Sequence, residues 1–194
     1  MTGRDAEPAA GAPPRFPGPG APVRLVGEGL VLREWSAADV PAMTALFDDP
    51  DTARFTPLAS PFDEAAARAY LARAAEARAA GRRLQLAVTE DGGAPLGEVL
   101  LFTAVDYPLA VEAGYAIGPR HRGRGLAARA LRPAVAYAYG TLGARRVLLR
   151  IVAENAASRA VARAAGFSLT DQPPVAAPGG ALLWTWQHAG PPGP

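Results

Sequence analysis

The spacing of apolar and polar positions changes several times along this 194-residue chain, and each change marks an element. Short apolar runs at Val23 to Val26 and Leu30 to Arg33 flank Gly27-Glu28-Gly29, which predicts a hairpin or a short bent strand. Ser36-Ala37-Ala38-Asp39 has the form of a capping box and predicts a helix to about Phe47, ended by Asp48-Asp49-Pro50. Ser60-Pro61-Phe62-Asp63 predicts a second helix, with Ser60 as cap and Pro61 at the first helical position. It runs through alanine-rich sequence to about Ala80 and stops at Gly81. Leu84 to Thr89 and Leu96 to Val105 read as strands joined by a turn at Glu90-Asp91-Gly92-Gly93, and Val111 to Ile117 reads as the next strand. The chain then breaks at Gly118-Pro119, passes through Arg120-His121-Arg122-Gly123-Arg124-Gly125, and becomes helical to about Gly140. Pro133 lies inside that helix and predicts a kink.

Val147 to Val152 is an almost unbroken apolar run, as expected of a central strand covered on both faces. Asn155 is placed to cap a short helix that ends at Gly166. A short strand at Ser168 to Thr170, a loop over 171–180 and a last strand at Ala181 to Gln187 complete the pattern. Leu182, Trp184 and Trp186 fall on one face of that last strand. The sum predicts an α+β domain with one mixed, mostly antiparallel sheet and helices on both faces.

Composition adds boundaries. Residues 1–22 hold six prolines and four glycines, and residues 188–194 are similar in kind, so both ends are expected to be disordered tails around a domain at 23–187. No apolar run has the length of a membrane span, and the first residues have no signal-peptide pattern, so a cytoplasmic location away from membranes is expected. The absence of cysteine excludes disulfides and thiolate chemistry. All 20 positive residues are arginine, which excludes a lysine-bearing phosphate loop and Schiff-base catalysis. With two histidines, no metal site is expected. Residues 1–100 carry 10 Arg against 14 Asp and Glu, a balance of −4, and residues 101–194 carry 10 against 4, a balance of +6. The glycine turn lies in the positive part, which suits an anionic ligand.

That turn is the main candidate for chemistry. Gly123 and Gly125 let the backbone approach a ligand, and the helix that follows adds the positive end of its dipole. The spacing also fits the dinucleotide fingerprint, but the acidic residue expected about 20 positions on is missing, and too little chain follows for a second half of that fold. Context points elsewhere. Asn155-Ala156-Ala157-Ser158 follows about 30 residues later, and Ala165-Gly166-Phe167 after that. Together with the glycine turn, these resemble the GNAT superfamily of acetyl-CoA-dependent N-acetyltransferases. Within it, the chain most resembles the branch containing the ribosomal-protein N-terminal acetyltransferases. The likeness runs over roughly 29–187 and takes in LVLREWSAADV and DDPDTARFTP.

The resemblance implies that the cofactor is acetyl-CoA and that Arg120, His121, Arg122, Gly123, Arg124 and Gly125, with Leu126 and Ala127, hold its pyrophosphate through main-chain amides. It implies that Tyr115, Ala116 and Ile117 splay away from the strand at 147–152 and pair with the pantetheine arm. Asn155 would bond that arm, and Ser158 would protonate the leaving thiolate. Trp35, Phe55, Thr56, Phe102 and the 171–180 loop would border the acceptor, a primary amine. Three positions depart from the family pattern: Ala162 stands where many members have a tyrosine acid, Arg150 where some have a glutamate base, and Arg129 where an acidic residue is common. A base is still required, because an amine must be neutral to attack a thioester. Glu112 is the first candidate and Glu98 the second, since carboxylates on apolar strands have raised pKa values; Asp106 is a third. Backbone N–H groups near Ile117 are candidates to hold the thioester oxygen. The expected assembly is a monomer or homodimer. A catalytically impaired CoA-binding regulatory module is the alternative reading, and an arginine-rich nucleic-acid-binding domain ranks third, weakened by the lack of exposed aromatics among the arginines.

Overall fold

A computed structural model describes residues 13–18, 20, 22–177 and 180–190. Its strands form one nine-stranded sheet with β1 (Arg24–Gly27), β2 (Leu30–Glu34), β3 (Arg83–Thr89), β4 (Gly97–Thr103), β5 (Ala110–Ile117), β6 (Arg146–Val152), β7 (Phe167–Leu169), β8 (Val175–Ala176) and β9 (Leu182–His188). The order is β1-β2-β3-β4-β5-β6-β9-β7, with β8 also on β9. Every pairing is antiparallel except β5 with β6. The α+β expectation therefore holds.

Alternation along the strands sorts side chains to two faces. Leu84, Leu86 and Val88 on β3, Val99 and Leu101 on β4, Val111 and Ala113 on β5, and Val147, Leu149 and Ile151 on β6 bury one face. They pack against α4 (Leu126–Gly140), whose Leu126, Leu131 and Val135 join the same cluster, and against Ala162 of α5 (Ala156–Ala164). The other face is covered by α1 (Val40–Phe47) and α3 (Glu64–Ala79) around Met43, Phe47, Phe62 and Tyr70. Phe62 stands edge-on to both Phe47 and Tyr70, with ring centroids 5.5 and 6.0 Å apart.

The local rules explain most of the boundaries. Ser36 donates its backbone N–H to the Asp39 carboxylate at 2.8 Å, and Asp39 also takes two bonds from Arg33, so the predicted capping box exists. Asn155 accepts from the Ser158 N–H at 2.9 Å, as a cap should. Two expectations are corrected. The cap of α3 is Asp63, which accepts from the Ala66 N–H, and Ser60 and Pro61 lie in a bend before the helix. An unpredicted helix, α2 (Pro50–Phe55), starts where only an ending was read. Asp49 caps it through the Thr52 N–H with Pro50 at the first helical position. Pro133 lies within α4, which continues as one segment, and it packs against Gly27 of the β1–β2 hairpin.

The packed region extends beyond 23–187 at both ends. Phe16 is buried in the main core, and the Arg15 N–H donates to the Leu142 carbonyl at 3.0 Å. His188 is the last residue of β9, its ring edge-on to Phe167 at 5.2 Å. Residues 1–12 and 191–194 of the expected tails lie outside the described residues. Burial of a phenylalanine stabilises by about 1.5–3 kcal/mol. A variant lacking 1–22 is therefore expected to melt about 3–10 °C below one lacking 1–12, by differential scanning calorimetry. Equal melting temperatures would remove Phe16 from the folded core.

Candidate active site

The one parallel pairing is short. Ala110, Val111 and Glu112 face Arg146, Val147 and Leu148, and there the ladder ends. Beyond it, Ala113 to Ile117 remain paired to β4, and Leu149 to Val152 remain paired to β9. The sheet thus opens as a wedge with Glu112 at its vertex. Backbone groups that a parallel neighbour would satisfy face an open slot.

Two cavities meet at this wedge. One, of about 440 Å³, is lined by Tyr115, Ala116 and Ile117 of β5, by His121, Arg122, Gly123, Gly125, Leu126 and Ala127 of the glycine turn, by Asn155 and Ser158, and by Phe55 and Thr56 of the α2 end. The other, of about 350 Å³, shares Phe55, Thr56, Tyr115, Ala116, Asn155 and Ser158 but continues on the opposite face of the sheet. There it reaches Tyr70, Glu98, Phe102, Glu112 and Arg150. The wedge is a passage from one face to the other.

The glycine turn is shaped by its glycines. Gly123 has φ +76° and Gly125 has φ +69°, left-handed values that favour glycine, and a Cβ built on either would meet nothing within 4 Å. The backbone is therefore accessible from the cavity. Two of its arginines, Arg122 and Arg124, are engaged by other elements. Arg122 holds Asp49 at 2.5 Å and Asp51 at 3.2 Å, and its Nε donates to the Ile117 carbonyl, so it ties the turn to the start of α2. Arg124 pairs with Glu90. Arg120 and Arg124 do not line the cavity. Besides His121 and Arg122, the turn offers a ligand main chain and the N-terminal end of α4.

On the far face, Glu98 is buried and accepts from the Tyr70 hydroxyl at 2.6 Å and the Trp35 indole N–H at 3.3 Å. Trp35, expected to border the acceptor, instead holds this carboxylate and packs edge-on to Phe47. Burial raises the Glu98 carboxyl to about 7 against the opposing bonds from Tyr70 and Trp35. Burial likewise raises Glu112 to about 7, opposed by Arg150 and assisted by Asp106. Tyr115 is pushed up to about 12 by burial, and its hydroxyl donates to the Ser158 carbonyl at 3.3 Å.

Sequence reasoning missed α2, Tyr70 and the position of Arg150. Asp-Asp-Pro-Asp carried the helix-start signal for α2 and was read only as a stop. Tyr70 belongs to an alanine-rich helix, and nothing local distinguishes it from other core aromatics.

The model of the acetyltransferase (GNAT) domain matches residues 29–168. The chain belongs to this family of N-acetyltransferases. No curated protein matches it by sequence. Solved structures share its fold. Mycobacterium smegmatis RimJ, in complex with CoA-disulfide, is 19% identical, with 86% of this chain and 84% of that one covered and a TM-score of 0.70. A GNAT-family acetyltransferase from Bacillus anthracis is 16% identical, with 85% and 97% covered and a TM-score of 0.72. RimL, a ribosomal L7/L12 alpha-N-protein acetyltransferase in complex with coenzyme A, is 18% identical, with 81% and 92% covered and a TM-score of 0.69. The resemblance to the ribosomal-protein branch is thus a likeness of fold. Among the described residues no helix is long and apolar enough to cross a membrane.

Proposed function

We propose that the chain transfers an acetyl group from acetyl-CoA to a primary amine by direct attack on the thioester. The observation that carries this reading is the wedge: a three-pair ladder that opens between the glycine turn on one face and two carboxylates, buried Glu98 and half-buried Glu112, on the other. The residues fit the cofactor. The unpaired edge of Ala113 to Ile117 can hydrogen-bond an extended amide-bearing arm, as a strand would. Asn155 uses its Oδ1 in capping, which leaves its amide nitrogen to donate to a ligand. The N–H groups around Gly123, Gly125, Leu126 and Ala127 suit a pyrophosphate. When bound, the cofactor supplies an acetyl group already activated as a thioester.

The chain's own groups then move two protons. Glu112, at the vertex and partly exposed, takes the proton from the attacking amine. It suits this better than Glu98, both of whose oxygens are engaged by Tyr70 and Trp35. Ser158 lines both cavities and returns a proton to the departing thiolate, with Tyr115 bonded to its carbonyl. Backbone N–H groups near Ile117 stabilise the thioester oxygen. Phe55, Thr56 and Phe102 shape the acceptor side.

The test is formation of an N-acetyl product, with thiol release, across a panel of amines. No product and no rise in melting temperature with millimolar acetyl-CoA would overturn the reading. Ser158→Ala is expected to lower kcat by about 10²-fold while leaving acetyl-CoA affinity within a few-fold, measured by steady-state kinetics and calorimetry. Equal kcat values would return Ser158 to a structural role.

A further inference from the structure

Arg150 is a buried cation without a matched partner. It lies on β6, on the face opposite α4, and lines the acceptor-side cavity and an adjoining one of about 610 Å³. Its side chain is 8% exposed. Two carboxylates stand near it, and neither makes a short charge-assisted bond. Nη2 is 3.4 Å from Asp106 Oδ2, and Nε is 3.8 Å from Glu112 Oε2. Nη1 is buried with no hydrogen-bond partner. The guanidinium carbon lies 5.7 Å from the Tyr107 ring centroid. Arginine keeps its charge when buried, so its unmade bonds call for an acceptor.

The surroundings favour an anion. Arg73 and Arg83 line both cavities with Arg150. Against these three cations, the acceptor-side cavity has only two carboxylates, Glu98 and Glu112. Asp106 is a loose occupant: its side chain is 57% exposed and can swing to solvent. Leu100, Phe102 and Leu183 supply apolar wall for the body of a ligand.

We propose that Arg150 anchors a carboxylate carried by the acceptor, so that the preferred substrate is an amine with a carboxylate a few bonds away. This rests on Glu112 receiving the amine proton, as argued above. Glu112 and Arg150 are 3.8 Å apart, so amine and carboxylate must be close within one small unit. The Nη1–Nη2 edge of the guanidinium would donate two parallel bonds to the carboxylate, with Asp106 displaced. A free α-amino acid and a peptide with an N-terminal aspartate both carry this chemistry.

Matched acceptor pairs test it. Phenylalanine against 2-phenylethylamine probes the free amino acid, and an aspartyl peptide amide against its asparaginyl counterpart probes the peptide. The parent is expected to show a kcat/KM at least tenfold higher for the carboxylate member of one pair, mostly through KM. Arg150→Gln is expected to bring that ratio close to one, and Arg150→Lys to retain part of it. A merely structural Arg150 would lower both members alike and leave the ratio, and a shared effect through Glu112 cancels in it. Ratios near one in the parent for both pairs, or a ratio unchanged in Arg150→Gln, would overturn the proposal. If Arg150→Gln does not fold, the parent ratio and Arg150→Lys decide. Acetylation of uncharged amines with no carboxylate preference defeats this proposal alone, whereas no product from any amine defeats the acetyl-transfer reading beneath it.

Discussion

Replacing Glu112 with glutamine is expected to lower kcat for N-acetylation by about 10²-fold or more. The acetyl-CoA KM should change little, because Glu112 lies outside the cavity that contains the glycine turn. The pH profile carries the sharper signature. Burial raises the folded pKa of Glu112 from 4.5 to about 7, so the carboxyl is protonated and unable to accept a proton below that value. The parent's kcat/KM should therefore rise as pH climbs through about 7, and this limb should vanish in Glu112→Gln. Glu98→Gln is the control, since Glu98 titrates in the same range but is held by Tyr70 and Trp35. A limb that survives in Glu112→Gln and disappears in Glu98→Gln would reassign the base.

A single methyl group at Gly97 is expected to lower stability by about 2–3 kcal/mol and the melting temperature by about 5–10 °C. Gly97 sits opposite Ile117 in the β4–β5 ladder. A Cβ there would strike the Ala116 carbonyl oxygen and the Ile117 Cα, which are backbone atoms with little freedom to move. The same two residues line the cofactor-side cavity, so the stabilisation conferred by acetyl-CoA should shrink with it. Gly114→Ala is the comparison. Its Cβ would meet only the Leu100 side chain, at 3.3 Å or more, which can rotate away. Thermal denaturation with and without acetyl-CoA separates the two variants, and equal melting temperatures would mean that the strands yield here.

Much of this architecture could be read from the chain because it rests on local chemistry. The Gly27-Glu28-Gly29 hairpin, the Ser36–Asp39 box, the Asn155 cap and the two-sided burial of Val147 to Val152 all follow from neighbours in sequence. The misreadings came where one signal served two purposes or where the deciding partner was distant. Asp48-Asp49-Pro50 both ends α1 and begins α2. Phe16 looks like part of a proline-rich tail until the core that receives it is assembled.

The site divides in the same way. The glycine turn was legible because its backbone conformation depends on Gly123 and Gly125 themselves. That Arg122 is spent on Asp49 and Asp51 was not, since those partners lie some 70 residues away. The bond from Trp35 to Glu98 was not legible either, because only the folded sheet brings its indole there. Arg150 read as a departure from a family pattern, and its burial beside Glu112 depends on the β5–β6 register.

With only three residue pairs joining β5 to β6, the sheet behaves as two plates, β1 to β5 and β6 to β9. One helix clasps them. α4 touches β1, β2, β4 and β5 on the first plate and β6 and α5 on the second. Within it, Arg132 reaches Glu28 in the β1–β2 hairpin with one nitrogen and the Ala164 carbonyl of α5 with another. Next to Arg132, Pro133 withholds a backbone N–H from the helix. α4 and the grip of Arg132 thus join the Tyr115–Ser158 bond and the Arg150–Glu112 pair as ties that hold the plates at their opening angle.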